Sequence, residues 1–224
     1  MAKLSLSKIY LSLLGFFLLW TIMTDEWGDA QLLFGTENTQ LVWGYDVLNR
    51  LIWAMLAIVL LFTYRKEIPV TLKQLFTNKS ELKPFLLAFI GITIYSLIAM
   101  FLNYGRFRLN PEFFFWQTLI KYLTVGFVEE LVYRGWAMNA FSKFWPFWKA
   151  NLVSTFFFIL IHFPRYFVRF YLTGNLAFGA MIGQAGFVLI CGLLFGYLFH
   201  KGKSLCSPMI AHFWVDFLFV LLLQ

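Results

Sequence analysis

The chain has 224 residues, of which 61% are hydrophobic and 13% charged, with a formal net charge of +7. A soluble domain carries roughly 25% charged residues, so this composition excludes a soluble enzyme and defines a membrane protein. The basic residues are spread through short loops and not gathered with exposed aromatics, which argues against nucleic acid as a partner.

Seven apolar blocks follow along the chain, at 9–23, 47–64, 84–102, 113–138, 148–163, 176–199 and 208–223. Each is long enough, or nearly so, to cross ~30 Å of hydrocarbon as a helix. Backbone groups in lipid must be satisfied internally, which favours helices over strands. The expected fold is an all-α membrane protein, a bundle of about seven transmembrane helices forming a single integral-membrane domain over 1–224.

The first block, "IYLSLLGFFLLWTIM", follows Lys3 and Lys8 like the core of a signal peptide. No small-residue cleavage site comes after it, so it is expected to remain as an anchor. The stretch 65–83, "RKEIPVTLKQLFTNKSELK", fits an amphipathic segment against anionic headgroups. In the sixth block, Gly179, Gly183, Gly192 and Gly196 form G-x-x-x-G pairs, expected to permit close helix packing. Cys191 and Cys206 lack C-x-x-C spacing and are expected to be packing residues.

Loop charge sets the expected orientation. Lys and Arg number two in the N-terminal segment, five in 65–83, two around 143–149 and two in 201–203, against none in 24–46, two in 103–112 and two in 164–175. Eleven against four places the N-terminus in the cytoplasm and the C-terminus outside, in a multi-pass protein of the plasma membrane.

The fourth block contains "GFVEELVYRGW", residues 126–136. An ionisable residue in a transmembrane helix costs roughly 2.5–3.5 kcal/mol even on the translocon scale. Glu130 and Arg134 stand at i,i+4 and can pair on one face, whereas Glu129 points about 100° away. The competing reading ends the helix near residue 128 and leaves the cluster at the membrane interface. Two of the three histidines also fall in apolar blocks: His162 in "FFFILIHF", and His212 in "MIAHFWVDF" with Asp216 at i,i+4. His200, beside Lys201, is expected to be interfacial. At ~1.5 Å per residue, Glu129, His162, His212 and Asp216 all reach one level in the cytoplasmic half of the membrane.

"EELVYR", "FILIH" and "HFWVD" resemble, in order, the E-E-x-x-x-R, F-x-x-x-H and H-x-x-x-N/D motifs of the CAAX protease and bacteriocin-processing (Abi) family of intramembrane endopeptidases. The resemblance covers about 113–224, the expected catalytic helices. It implies hydrolysis of a membrane-associated peptide or protein. Glu129 would be the catalytic glutamate, with His162 helping to activate water. His212 and residue 216 would contact the oxyanion, and Arg134 would hold the acidic motif, including Glu130, in place. Asp216 stands where many members carry Asn, and an ionised Asp cannot donate a hydrogen bond. Its expected role is to accept from His212 and orient that ring.

No cofactor is expected. Zinc held by Glu129, His162 and His212 is the mechanistic alternative, although no H-E-x-x-H pair is present. Two other functional classes compete: a non-catalytic or bacteriocin-immunity protein of the same fold, and a proton-coupled transporter, since buried acid and histidine relays also mark those. No repeated halves with interrupted helices are visible for the latter.

Overall fold

A computed structural model describes residues 3–34 and 39–223. Met1, Ala2, Gln224 and the centre of the expected 24–46 loop lie outside them. The order of elements is α1 (Leu6–Phe34), α2 (Thr39–Thr63), α3 (Leu72–Thr77), α4 (Leu82–Tyr104) and α5 (Phe115–Glu130), then a π-helical stretch (Leu131–Met138) running directly into α6 (Asn139–Phe141), followed by α7 (Phe147–Leu160), α8 (Pro164–Thr173), α9 (Phe178–Gly202) and α10 (Cys206–Leu223). The described residues contain no strand. Every apolar block is helical over most of its length, and among the described residues five helices are long and apolar enough to cross a membrane. The chain is accordingly an all-helical integral membrane protein.

Three boundaries differ from the sequence reading. Helices α1 and α2 extend into the expected 24–46 loop. The expected loop 164–175 contains α8, which starts at Pro164, where the missing N–H costs no helical bond, and stops at Gly174 with φ 68°. Helix α7 ends at Leu160, so His162 sits in the turn after it.

Four basic segments meet at one end of the bundle. Lys8 lies over the Tyr64 ring, Lys143 pairs with Glu67, and the Asn78 amide donates to the Lys203 carbonyl. The expected surface segment 65–83 is folded against the protein here. The Asn139 amide exchanges two hydrogen bonds with the backbone of Val70, at 2.7 and 3.1 Å, and Leu205 N–H donates to Leu75 O. Thr71 and Gln74 close a reciprocal cap on α3. At the opposite end, Asn110 bonds the carbonyls of Val220 and Leu221, and the Tyr104 hydroxyl donates to Leu223 O.

The larger apolar core joins α1, α2 and α3 to the π stretch and α7, with Trp53, Tyr133, Trp136 and Phe141 fully buried. A second cluster packs α4 and α9 against α10 through Ile92, Met100, Phe195 and Leu218. Both free cysteines are covered, Cys191 fully and Cys206 in part. His200, in the last turn of α9, stacks on Phe147 at 4.0 Å and lies 3.1 Å from Lys203 Nζ.

Candidate active site

The helix does not end at residue 128. It passes through Glu129 and Glu130 into the π stretch, where all eight residues, including Arg134, are buried. A π-helix shifts its backbone bonds to i→i+5 and widens the turn, an irregularity that concentrates at functional sites. The Ser154 hydroxyl of α7 donates to Tyr133 O at 2.6 Å, tying α7 to this stretch.

Glu130 is completely buried. Its Oε1 accepts from Arg134 Nη1 at 2.9 Å and from His212 Nδ1 at 2.9 Å, so one oxygen joins its own helix to α10. Arg134 also donates from Nη2 to Gly192 O at 2.9 Å, and its guanidinium lies 4.7 Å from the Phe158 ring and 5.5 Å from that of Phe195. Gly192 makes this approach possible: a Cβ there would meet Thr155 Cγ2 at 2.5 Å and Arg134 Nη2 at 3.3 Å. Gly196 does the same for the Asn151 amide, whose Oδ1 an added Cβ would strike and whose Nδ2 donates to Leu193 O. Gly179 and Gly183 have open space in the same test, so only the second of the two expected glycine pairs is a close-packing site.

Glu129 diverges from its neighbour as the helical geometry requires. Its Oε2 lies 3.7 Å from His212 Nε2 and its Oε1 3.9 Å from Arg50 Nη1. Asp216 Oδ2 lies 3.6 Å from the same His212 nitrogen. The His212 ring, stacked on Phe195 at 5.0 Å, is thus fixed through Nδ1 and turns Nε2 toward two carboxylates at distances too long for direct hydrogen bonds. The expected orienting bond from Asp216 is not formed, and Glu130 holds the ring instead.

His162 Nδ1–H donates to Phe158 O at 2.8 Å, which leaves Nε2 as an acceptor. The Phe158 ring stands between the two histidines, its centroid 5.1 Å from His162 and 5.8 Å from His212. The fold therefore brings Glu129, Glu130, Arg134, His212 and Asp216 into direct mutual reach and sets His162 at their edge. Among the described residues, no group of three or more His, Cys, Asp or Glu side chains is placed to hold a metal ion.

Sequence reasoning missed Arg50. It lies inside the second apolar block, and an ionisable residue in a membrane span marks a functional site by default. The loop charge count, confined to segments between the blocks, does not include it. The π stretch has no counterpart in residue spacing.

A family model of the type II CAAX prenyl endopeptidase Rce1-like proteins matches residues 111–218, which contain all three motifs and none of α1 to α4. No curated protein matches the chain. Through that segment, just under half of the chain, which carries the whole buried acid and histidine cluster, this membrane protein is similar to the Rce1-like CAAX prenyl endopeptidase family.

Proposed function

We propose that this chain is an intramembrane endopeptidase that hydrolyses a membrane-associated peptide with water activated by Glu129. The observation that carries the reading is the facing of Glu129 Oε2 and His212 Nε2 across 3.7 Å, too long for a direct hydrogen bond and close enough for both groups to reach one water or reacting carbonyl placed beside them. The family-model match supports the reaction class and a prenylated CAAX end as the substrate to try first.

In this mechanism Glu129 takes a proton from water while the lone pair on His162 Nε2 orients it. The hydroxide oxygen bonds to the scissile carbonyl carbon, and the resulting oxyanion accepts from His212 Nε2–H. That role requires a proton on each ring nitrogen. Glu130 at Nδ1, with Glu129 and Asp216 near Nε2, provides the negative surroundings such a cation needs. Collapse breaks the C–N bond, and Glu129 passes its proton to the leaving amine. Glu130 and Arg134 hold the site in shape and take no part in proton transfer, and no cofactor enters.

The proposed setting is one integral-membrane domain crossing seven times. The basic end of the bundle faces the cytoplasm, and the site lies in the cytoplasmic half. The positive-inside bias supports this orientation, as does the gathering of Lys3, Lys8, 65–83, Lys143 and Lys203 away from the C-terminal end of α10.

The test is Glu129→Gln in purified, detergent-solubilised protein, with an internally quenched farnesylated CAAX peptide as substrate. The amide keeps the shape and loses the proton acceptor, so the rate should fall about 10²–10⁴-fold while the melting temperature holds. Cleavage at the unaltered rate would remove Glu129 as the base.

A further inference from the structure

We infer that Arg50 is a positioning residue for Glu129: α2, outside the family-matched segment, completes the site by holding that carboxylate as the anion and turning its second oxygen toward His212. The two oxygens of Glu129 are divided between two helices, Oε1 facing Arg50 Nη1 at 3.9 Å and Oε2 facing His212 Nε2 at 3.7 Å. Both side chains of the Arg50–Glu129 pair are 11% exposed, so bulk water screens them little.

His212 and, more weakly, Arg134 also favour the Glu129 anion, but each is engaged elsewhere. Arg134 is bonded to Glu130 and Gly192 O, while Glu130 and Asp216 repel Glu129. His212 is needed at the reacting atoms. Helix α2 packs against both α5 and the π stretch, while the neighbouring Leu48 and Leu51 are exposed on its outer surface. Arg50 is thereby turned inward, away from the face that carries Leu48 and Leu51, a placement that costs free energy unless it meets an acid.

The catalytic part of this inference rests on the reading of Glu129 as base, so the first measurement needs no substrate. Dicyclohexylcarbodiimide, an apolar reagent for protonated carboxyl groups, is added to intact solubilised protein, and the Glu129 adduct is located by mass spectrometry with Glu129→Gln as the blank. Arg50→Gln should raise labelling about tenfold, the effect of a one-unit change in protonation equilibrium, while Arg50→Lys stays near the unaltered protein. Arg50→Met carries the same expectation if the Gln variant does not survive solubilisation. With the farnesylated CAAX peptide, Arg50→Gln should lower kcat about 10²-fold with little change in KM, and Arg50→Lys should recover much of it. Equal labelling in the unaltered, Gln and Met proteins overturns the inference whatever the activity. So does a Lys variant that labels or turns over no differently from Gln. Failure of the protease reading registers separately, as cleavage that persists in Glu129→Gln.

Discussion

Glu130 holds His212 and Arg134 with the same oxygen: Oε1 accepts from His212 Nδ1 and from Arg134 Nη1, each at 2.9 Å. The proposed mechanism accordingly gives the adjacent acids separate tasks, Glu130 in the frame and Glu129 at the reacting atoms. Breaking a buried ion pair from one side leaves a charge without compensation and costs about 3–5 kcal/mol.

Glu130→Gln and Arg134→Met should each lower thermal stability sharply in detergent. The double variant should lose less than the sum of the two, because it removes the pair together. Glu129→Gln should leave stability almost unchanged. Equal destabilisation by Glu129→Gln and Glu130→Gln would refute this division of labour.

The division was partly legible in the sequence. The i,i+4 spacing of Glu130 and Arg134 assigned their pair, as found, and left the partners of Glu129 to other helices. The step from Glu129 to Arg50 was not legible, because spacing within one helix says nothing about which face of a helix 79 positions earlier will meet it. Asp216 shows the same limit. Its i,i+4 relation to His212 is visible in sequence, but Glu130, 82 positions away, takes the ring nitrogen that orients the imidazole. The apolar blocks gave the helices because lipid demands them. Their ends, the amphipathic α8 and the π stretch depend on tertiary contacts that hydropathy does not encode.

The glycines of α9 offer a test of packing at the site. Gly196→Ala would drive a methyl into the Asn151 amide, which is buried and bonded to Leu193 O, and overpacking of this kind costs about 1–3 kcal/mol. Gly183→Ala, on the same helix in open space, should change stability by no more than about 0.5 kcal/mol. Melting curves of the two variants side by side give the comparison, and equal values would contradict the close approach of α7 and α9.

Orientation follows from the two ends of the bundle. A reporter active only in the cytoplasm should work when inserted in 65–83, and one active only outside should work when fused at the C-terminus. The contacts of Lys8 with Tyr64 and of Asn78 with Lys203 O tie the basic segments to a common side, so they must report together. A cytoplasmic signal from the C-terminal fusion would contradict the seven-crossing reading.

Metal dependence separates glutamate chemistry from its zinc alternative. Both histidines bind through Nδ1, His162 to Phe158 O and His212 to Glu130, and both offer Nε2, an arrangement that serves a metal ligand or a water-orienting ring equally well. Among the described residues, no group of three or more His, Cys, Asp or Glu side chains has the spacing of a metal site, and chelation tests the two chemistries directly. Under the proposed mechanism, cleavage of the farnesylated peptide should survive exhaustive dialysis against chelator, and elemental analysis of active protein should find far less than one zinc per chain. His162→Ala should cut turnover about 10²-fold or more while shifting the melting temperature little, because the ring orients water and braces no ion. Activity that vanishes with chelator and returns with stoichiometric zinc would reassign Glu129, His162 and His212 as ligands and pass the role of base to Glu130, which would then have to leave Arg134 and His212 to act.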